Sequence, residues 1–324
     1  MIAYRSDWPE TGLSNPSAPV SEIPLLETRN AKWVCSANDE RSGMTFRLFA
    51  VLNEFETGFY KMPSWELRME VLYPDGTPAP LSSGALQEFI TTSLHWITSR
   101  LSVQSAYISA KLVADEPLGV ELLGRGFEVV ECRCLYKCRV GDLIVSSPSH
   151  VGSEINYLSL AQLPTESHSH YQEQIIDICN ESFQTGSSRH YIDPHLTRQI
   201  SGLEYILSVM RLNFKTVAPD CFLLAVDESA GAIAGFTVIG KKPSLVEKTY
   251  TQLLSAVRSS YRGSGIYRGL TRFLAYTFPA DAFLLNVTHI QNKSIQRAYQ
   301  DSGRKHLANT VVVRKYFGNS YFSS

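Results

Sequence analysis

The chain has 324 residues, of which 44% are apolar, a length that suits two domains with a buried core each rather than one. Its 30 Lys+Arg and 31 Asp+Glu nearly cancel, which excludes a molecule-wide field for nucleic acid or an anionic membrane, so any anion site must be local. No run approaches the roughly eighteen apolar residues needed to cross a bilayer, and the start lacks a signal-like pattern. We therefore predict a cytoplasmic protein without nucleic-acid or membrane partners.

In the first half, alternating and helical apolar patterns predict five elements. In chain order they are a strand at 65–72, a helix at 83–100, a strand at 106–112, a short helix at 118–123 that Gly126 ends, and a strand at 127–138. Residues 141–155 are rich in Ser, Gly and Pro, so we place a domain boundary there. The predicted domains are 1–150 and 151–324.

Cysteines cluster only in the strand predicted at 127–138. Cys132, Cys134 and Cys138 share strand parity with Val130 and Tyr136, so all five would point to one face. Zinc instead favours paired ligands at C-x₂-C spacing and a fourth partner. We interpret the three thiols as packed, reduced side chains and predict no metal site.

The second half continues the mixed pattern. The predicted elements are helices at 171–183 and 196–213, paired strands at 222–226 and 232–239, a strand at 249–257, a helix at 267–277, a strand at 283–290, a helix at 294–302 and a strand at 310–316. Asp227 and Glu228 fall in the hairpin turn and are expected to be solvated. This order predicts an α/β fold with a mixed sheet.

A weak internal repeat relates the two halves. An ungapped shift of 177 residues lays 107–112 on 284–289, and Leu118, Leu122 and Gly126 then fall on Ile295, Tyr299 and Gly303. Duplication and a chance likeness of short α/β units are both open at this point.

The most informative motif stands between the strand at 249–257 and the helix at 267–277. It reads Arg258-Ser259-Ser260-Tyr261-Arg262-Gly263-Ser264-Gly265-Ile266-Tyr267. Glycines at 263 and 265 let successive backbone N–H groups converge, and the helix that begins there adds its positive dipole end. Such a turn binds phosphate. It is neither a P-loop, which needs Gly-Lys-Ser/Thr, nor a dinucleotide fingerprint, which needs a third glycine.

The motif resembles that of the GNAT superfamily of acyl-CoA N-acyltransferases. The family pattern is Arg-x-x-Gly-x-(Gly/Ala), followed by Asn-x-x-(Ser/Ala)-x-x-x-Tyr. Here it reads Arg262-x-x-Gly265-x-Tyr267 and then Asn292-Lys293-Ser294-Ile295-Gln296-Arg297-Ala298-Tyr299, within a span of 220 to 317. Tyr267 replaces the usual small residue, so its side chain must point away from the phosphates while its backbone N–H still donates to them. The resemblance implies a GNAT-like fold with acetyl-CoA as co-substrate, bound by Ala256, Val257, Arg262, Gly263, Ser264, Gly265, Ile266, Tyr267, Asn292 and Tyr299.

Aminolysis of a thioester needs an oxyanion donor, an acid near sulfur and a route for the proton of the amine. The resemblance implies that the N–H of Val257 or its neighbour polarises the carbonyl and that Tyr299 protonates the thiolate. Asn292 lies seven residues before Tyr299, on the same helix face. His289 at a strand end is a candidate base, with a structural histidine and proton transfer through water as alternatives.

A degenerate first domain followed by an active second one is similar to the TDP-fucosamine acetyltransferases. The supporting segments are Phe55-Glu56-Thr57-Gly58-Phe59-Tyr60 and Ser188-Arg189-His190-Tyr191-Ile192-Asp193-Pro194. In the repeat, Leu122 and Asp115 replace Tyr299 and Asn292, and Leu81-Ser82-Ser83-Gly84 lacks the paired glycines. We therefore expect the first domain not to bind acyl-CoA.

The resulting hypothesis is acetyl transfer to a primary amine on a small molecule, with an amino sugar linked to a nucleotide as the first choice. Polyamines, antibiotics, amino acids and protein amines are alternatives. So is a non-catalytic acyl-CoA-binding protein. A homodimer is compatible with the sequence, which does not fix the oligomeric state.

Overall fold

The computed structural model describes residues 3–5, 31–39, 44–72, 83–101, 106–113, 117–144, 155–186, 188–197, 200–242 and 248–317. The chain forms two compact units. The N-terminal unit comprises Met1–Arg133 and Ala308–Ser324, and the C-terminal unit comprises Cys134–Leu307. This division differs from the predicted boundary near residue 150, because strand pairing assigns the end of the chain to the N-terminal unit and composition carries no information about pairing. Of the described helices, none is long and apolar enough to span a membrane.

In the part of the N-terminal unit that the structure describes, strands are combined with three α-helices. Its elements are β1 (Ala3–Arg5), β2 (Ala31–Asp39), β3 (Met44–Leu52), α1 (Glu54–Tyr60), β4 (Ser64–Leu72), α2 (Ser83–Leu101), β5 (Ala106–Val113), α3 (Pro117–Gly124), the first part of β6 (Glu128–Arg139) and most of β12 (Lys305–Phe317). The five elements predicted from 65 onward are confirmed within a few residues. The sequence patterns did not reveal β1, β2, β3 or α1, and the aromatic segment at 55–60 lies in α1.

Strand order in this unit is β2-β3-β4-β5-β12, with β1 paired to β4. Strands β4 and β5 are parallel over Ser64–Leu67 and Tyr107–Ala110, while β12 is antiparallel to β5. Farther along β4, residues 70–72 pair with β1. Apolar residues of β4, α2, β5 and α3 form the core, including Leu67, Ile90, Leu94, Ile108 and Leu122.

The C-terminal unit contains the predicted anion loop. Its elements are the end of β6, β7 (Ile155–Ser159), α4 (His168–Ser182), α5 (Arg189–Ile192), α6 (Pro194–Thr197), α7 (Gly202–Thr216), β8 (Phe222–Asp227), β9 (Ala232–Lys242), β10 (Thr249–Val257), α8 (Ile266–Thr277), β11 (Phe283–His289) and α9 (Lys293–Asp301). Strand order is β6-β11-β10-β9-β8-β7. Only β10 and β11 form a parallel pair among the described pairings of this unit.

The helix predicted at 196–213 is wrong in its extent, since two helices, α6 and α7, occupy that stretch. Ser201 begins α7 through a capping box: its hydroxyl accepts the Glu204 N–H at 3.2 Å, and the Glu204 carboxylate accepts the Ser201 N–H at 3.0 Å. A Ser with Glu three residues later starts a helix, and that local signal outweighs the apolar spacing across it.

Helices cover the two faces of the C-terminal sheet. Helices α4 and α7 pack on one core with Phe236, Val238 and Ala256. Helix α8 packs on the other through Leu270 and Leu274. Burial raises the pKa of the Cys138 thiol, in this second core, to about 11, so it is protonated at neutral pH. That fits the interpretation of this cysteine as a packed thiol.

Candidate functional site

Strands β10 and β11 separate partway along their length. They pair only over Thr249–Gln252 and Phe283–Asn286. At this point a bulge between Gln252 and Leu254 interrupts the pairing of β10 with β9, and a bulge bends its strand. The end of β10 thus has a free edge on the β11 side, and we call the space beside it the cleft.

The backbone of Val257 points into the cleft. The Arg258 N–H donates to the Ala234 carbonyl of β9 at 2.9 Å, and Val257 is the register partner of Gly235. Successive amides of a strand point to opposite edges, so the Val257 N–H faces away from β9 and the Ala256 N–H faces β9. Of the two predicted backbone donors, only Val257 therefore has its amide at the free edge.

The loop after β10 has the conformation that the glycines predicted. A 3₁₀ turn, Ser259–Tyr261, leads into Gly263 at φ 82° and Gly265 at φ 87°, which caps α8. Both are in the left-handed region, which favours glycine. The first backbone hydrogen bond of α8 joins the Gly269 N–H to the Gly265 carbonyl at 3.0 Å. The N–H groups of residues 266–268 therefore lie in the first turn, before the hydrogen-bond ladder of the helix begins. Such N-terminal amides are donors for an anion.

Neighbouring elements hold the loop in place. At the end of α4 the Glu181 carboxylate accepts the Ser259 N–H at 2.7 Å. Its hydrogen bonds with Ser259, that of the Ser259 side chain first, lower the pKa of this acid. The Arg262 guanidinium donates to the Ser182 hydroxyl at 3.2 Å and to the Val257 carbonyl at 3.3 Å. Contacts within the protein therefore hold the loop at both ends, and an ordered loop reduces the conformational entropy that binding must overcome.

Asp227 differs from the prediction that it is simply solvated. It accepts hydrogen bonds from the Ser229 hydroxyl at 2.6 Å, the Ala230 N–H at 3.1 Å and the Tyr261 hydroxyl at 2.7 Å. These bonds, that of Ser229 first, lower the pKa of Asp227 to about 2. Pattern reading missed this role because Tyr261 is distant in sequence. The contact ties the hairpin turn to the loop.

A cavity of about 710 Å³ opens over the loop and the free edge. It is lined by residues 182–183 at the end of α4, 255–257 of β10, 261–263 and 265–268 of the loop and α8, the α9 cap Asn292, and Ser294, Ile295 and Ala298 of α9. Of the residues that the sequence predicts to bind the cofactor, the structure brings together Ala256, Val257, Arg262, Gly263, Gly265, Ile266, Tyr267 and Asn292 around this cavity. Ser264, His289 and Tyr299 are absent from the described lining.

These three residues, and Asn292, have other contacts. The Ser264 hydroxyl donates to the Tyr261 carbonyl at 2.6 Å. His289 accepts the N–H of residue 291 at 3.1 Å, and strand alternation puts it on the opposite face of β11 from residue 286. The Asn292 side chain caps α9 by accepting the Ile295 N–H at 3.4 Å.

Tyr299 is buried rather than exposed to the cleft. It is 4% exposed and packs with Cys134 and Tyr136. The ring centroids of Tyr136 and Tyr299 lie 5.3 Å apart, and the two rings meet edge to face. Its hydroxyl makes side-chain hydrogen bonds with Tyr267 and Asn286. Burial, followed by the neighbouring Tyr267, raises the pKa of Tyr299 well above its ordinary value. It stays protonated, but a higher pKa makes it a weaker acid.

A polar network fills the point where β10 and β11 part. Gln252 and Asn286, the last paired residues, join their side-chain amides, and Gln252 also contacts the Tyr267 hydroxyl at 3.2 Å. The Arg304 guanidinium donates to Asn286 at 3.0 Å. Sequence reasoning missed these residues. The available signal was an amide in an apolar strand, next to the Leu-Leu pair at 253–254 that breaks alternation.

Comparison with known proteins identifies the fold. No protein-family model and no curated protein sequence matches this chain. A GCN5-related N-acetyltransferase from Kribbella flavida is similar in structure at 13% identity, with a TM-score of 0.51 over 85% of this chain and 88% of that one. Another from Sphaerobacter thermophilus is 15% identical, with a TM-score of 0.50 over 85% of this chain and 77% of that one. The chain thus has the mixed α/β, GNAT-like fold that was predicted.

Proposed function

We propose that this protein transfers an acetyl group from acetyl-CoA to a primary amine. One observation carries the proposal: a preformed loop of converging amides lies in the same cavity as the free backbone edge of β10. The loop suits a diphosphate, and the edge suits the amide groups of an extended pantetheine arm. Arg262 adds positive charge to the loop, as an anion site in a chain of near-zero net charge requires.

The thioester carbonyl would lie against the Val257 N–H. As the amine nitrogen attacks, negative charge develops on the carbonyl oxygen, and a fixed backbone donor stabilises it without reorganisation. The Ala256 N–H is already directed to β9 and is not a candidate for this role. His289 and Tyr299 remain the base and acid that the sequence predicts, and neither lines the described cavity.

The acceptor is a small-molecule amine, and the amino-sugar nucleotide is the first candidate. This choice rests on the likeness of segments 55–60 and 188–194 to the TDP-fucosamine acetyltransferases. Release of free thiol from acetyl-CoA, measured with an amino-sugar nucleotide, a free amino sugar, a polyamine, an aminoglycoside and an amino acid, tests it. Acceptor-dependent thiol with the nucleotide sugar is expected. Acetyl-CoA binding without turnover on any amine would favour a non-catalytic binding protein.

The variant Val257→Pro tests the role of the Val257 N–H in the same assay. Proline removes the N–H that faces the cleft and leaves the β9 ladder intact, because that amide is not part of it. We expect kcat to fall about 100-fold, the usual cost of one oxyanion donor, with CoA affinity within about threefold of wild type. An unchanged kcat would remove Val257 from the mechanism.

A further inference from the structure

We infer that a groove between α8 and α9 receives the 3′-phosphoadenosine end of CoA, and that Arg268 and Arg297 bind its 3′-phosphate. The inference rests on the proposed acetyl transfer and adds to it the residues that would distinguish CoA from dephospho-CoA. The groove is a cavity of about 380 Å³ within the C-terminal unit. Its lining includes Ile144, Arg268, Ser294, Arg297, Asp301 and Ser302.

The groove adjoins the larger cavity over the glycine loop. Four residues, Tyr267, Arg268, Ser294 and Ala298, line both spaces, so one ligand can occupy both. CoA carries its diphosphate in the middle, with the pantetheine arm on one side and 3′-phosphoadenosine on the other. With the diphosphate on the loop and the arm along the free edge of β10, the nucleotide end extends away from that strand. The groove, whose described lining includes no residue of β10, offers space for it.

The charge of the groove suits an anion. Neither the Arg268 nor the Arg297 guanidinium has an ion pair or a hydrogen bond within the part of the chain that the structure describes. Asp301 is the acid of the described lining, and it does not pair with Arg297 four residues before it. Two guanidiniums and one carboxylate leave the lining with a net charge of +1.

The position of Arg268 in its helix also favours a bound anion. Arg268 is the third residue of α8, and the first turn of α8 contains no acidic residue. A cation near the positive end of a helix dipole is unfavourable. Helix α7, by contrast, has Glu204 in its first turn. The start of α8 therefore carries positive charge that a phosphate would neutralise.

The serine hydroxyls of the groove already have partners. The Ser294 hydroxyl donates to the Asn292 side chain at 3.1 Å, and the Ser302 hydroxyl donates to the Tyr299 carbonyl at 2.8 Å. The two guanidiniums are thus left as the charged donors, and a planar guanidinium matches the geometry of a phosphate. A phosphomonoester carries a charge of roughly −1.5 to −2 at neutral pH, which is enough for both.

An apolar side chain at the same groove favours a nucleotide over a free inorganic anion. Ile144 is 58% exposed, and its N–H donates to the Ser302 carbonyl at 3.0 Å, which fixes it beside the groove. Ligand sites combine apolar surface with a few polar groups. An adenine ring would cover Ile144 while the phosphate on its ribose contacts the arginines.

Calorimetric titration with CoA and with 3′-dephospho-CoA tests the assignment, because the two ligands differ only in the 3′-phosphate. We expect the wild type to bind CoA at least about tenfold more tightly, since hydrogen bonds between charged groups are lost with dephospho-CoA. In Arg297→Gln and in Arg268→Gln this preference should fall to about threefold or less. A merely structural role would weaken both ligands alike and leave the preference unchanged.

Arg272→Gln is the matched control. Arg272 is also on α8, but its guanidinium lies over the Tyr276 ring, 5.7 Å from the centroid, and it is not among the groove residues. This variant should keep the wild-type preference. Ile144→Ser should weaken CoA and dephospho-CoA by the same factor, about threefold, because both ligands carry the adenine ring.

The outcomes separate the inference from the proposed function. A wild-type protein that binds neither ligand would overturn both. A wild type that binds CoA and dephospho-CoA equally well, or Arg297→Gln and Arg268→Gln proteins that keep the full preference for CoA, would overturn the inference alone. Unchanged affinities in Ile144→Ser would contradict the placement of the adenine ring.

Discussion

Two strand–helix–strand segments of this molecule have the same local architecture and different neighbours. Shifting β5, α3 and β6 by 177 residues reproduces the bounds of β11, α9 and β12 to within one residue. The glycines that end the two helices, Gly126 and Gly303, have φ of 77° and 82°. This agreement favours duplication over chance likeness of short α/β units.

The neighbouring strand accounts for the difference. In the N-terminal unit β4 is parallel to β5 over four residues, and the next part of the same edge, 70–72, pairs with β1. In the C-terminal unit the corresponding edge of β10 is free and leads into the glycine loop. Among the residues that the structure describes, the shared strand–helix–strand scaffold thus occurs both beside a paired edge and beside a free one. The function that we propose uses the free edge of β10 together with the glycine loop.

The largest effect should come from separating the repeats. A fragment of residues 155–324 lacks residues 134–139 of β6, which neighbour β11, and deprives β12 of β5, its partner over 310–317. Unpaired edges promote aggregation, so we expect an insoluble or inactive fragment. Expression, solubility and CoA titration against the full chain measure this. A fragment that folds and binds CoA like the full chain would show that the units are independent.

A smaller effect should come from the contact that holds the loop of the C-terminal unit. Hydrogen bonds from Ser229 and Tyr261 lower the pKa of Asp227 to about 2. The stabilisation from the charged carboxylate is therefore fully present at a pH above the ordinary pKa of aspartate, and it is lost as the pH falls toward 2. Between pH 6 and 8 the contact should not titrate. Asp227→Asn should weaken CoA binding by about threefold there, since a charge-assisted bond becomes a neutral one.

Calorimetric titration at pH 7 checks this prediction, with Glu228→Gln as the matched control. Glu228 is in the same turn but bonds to Asn156 at 2.9 Å instead of the loop. Equal losses in both variants would mean that turn charge, rather than the Tyr261 contact, affects the loop.

Many of the secondary-structure elements of both units could be predicted from the sequence, because they depend on local patterns. The strands, the helix after Gly265 and the stops at Gly126 and Gly303 depend on patterns within a few residues. Tertiary contacts have no comparable local sequence pattern. The assignment of β12 to the N-terminal unit, the burial of Tyr299 and the Gln252 network each depend on partners far away in the chain.

Titration of CoA into the wild type and into Gly263→Ala tests the central claim most directly. A Cβ at 263 would meet no atom within 4 Å, but φ of 82° strains any other residue, by about 1–2 kcal/mol, so the loop amides should lose their alignment. We expect the wild type to bind and Gly263→Ala to bind about tenfold more weakly. Gly58→Ala, in the open space around α1, should match the wild type. Absence of CoA binding in the wild type, or equal affinity in all three proteins, would contradict the account.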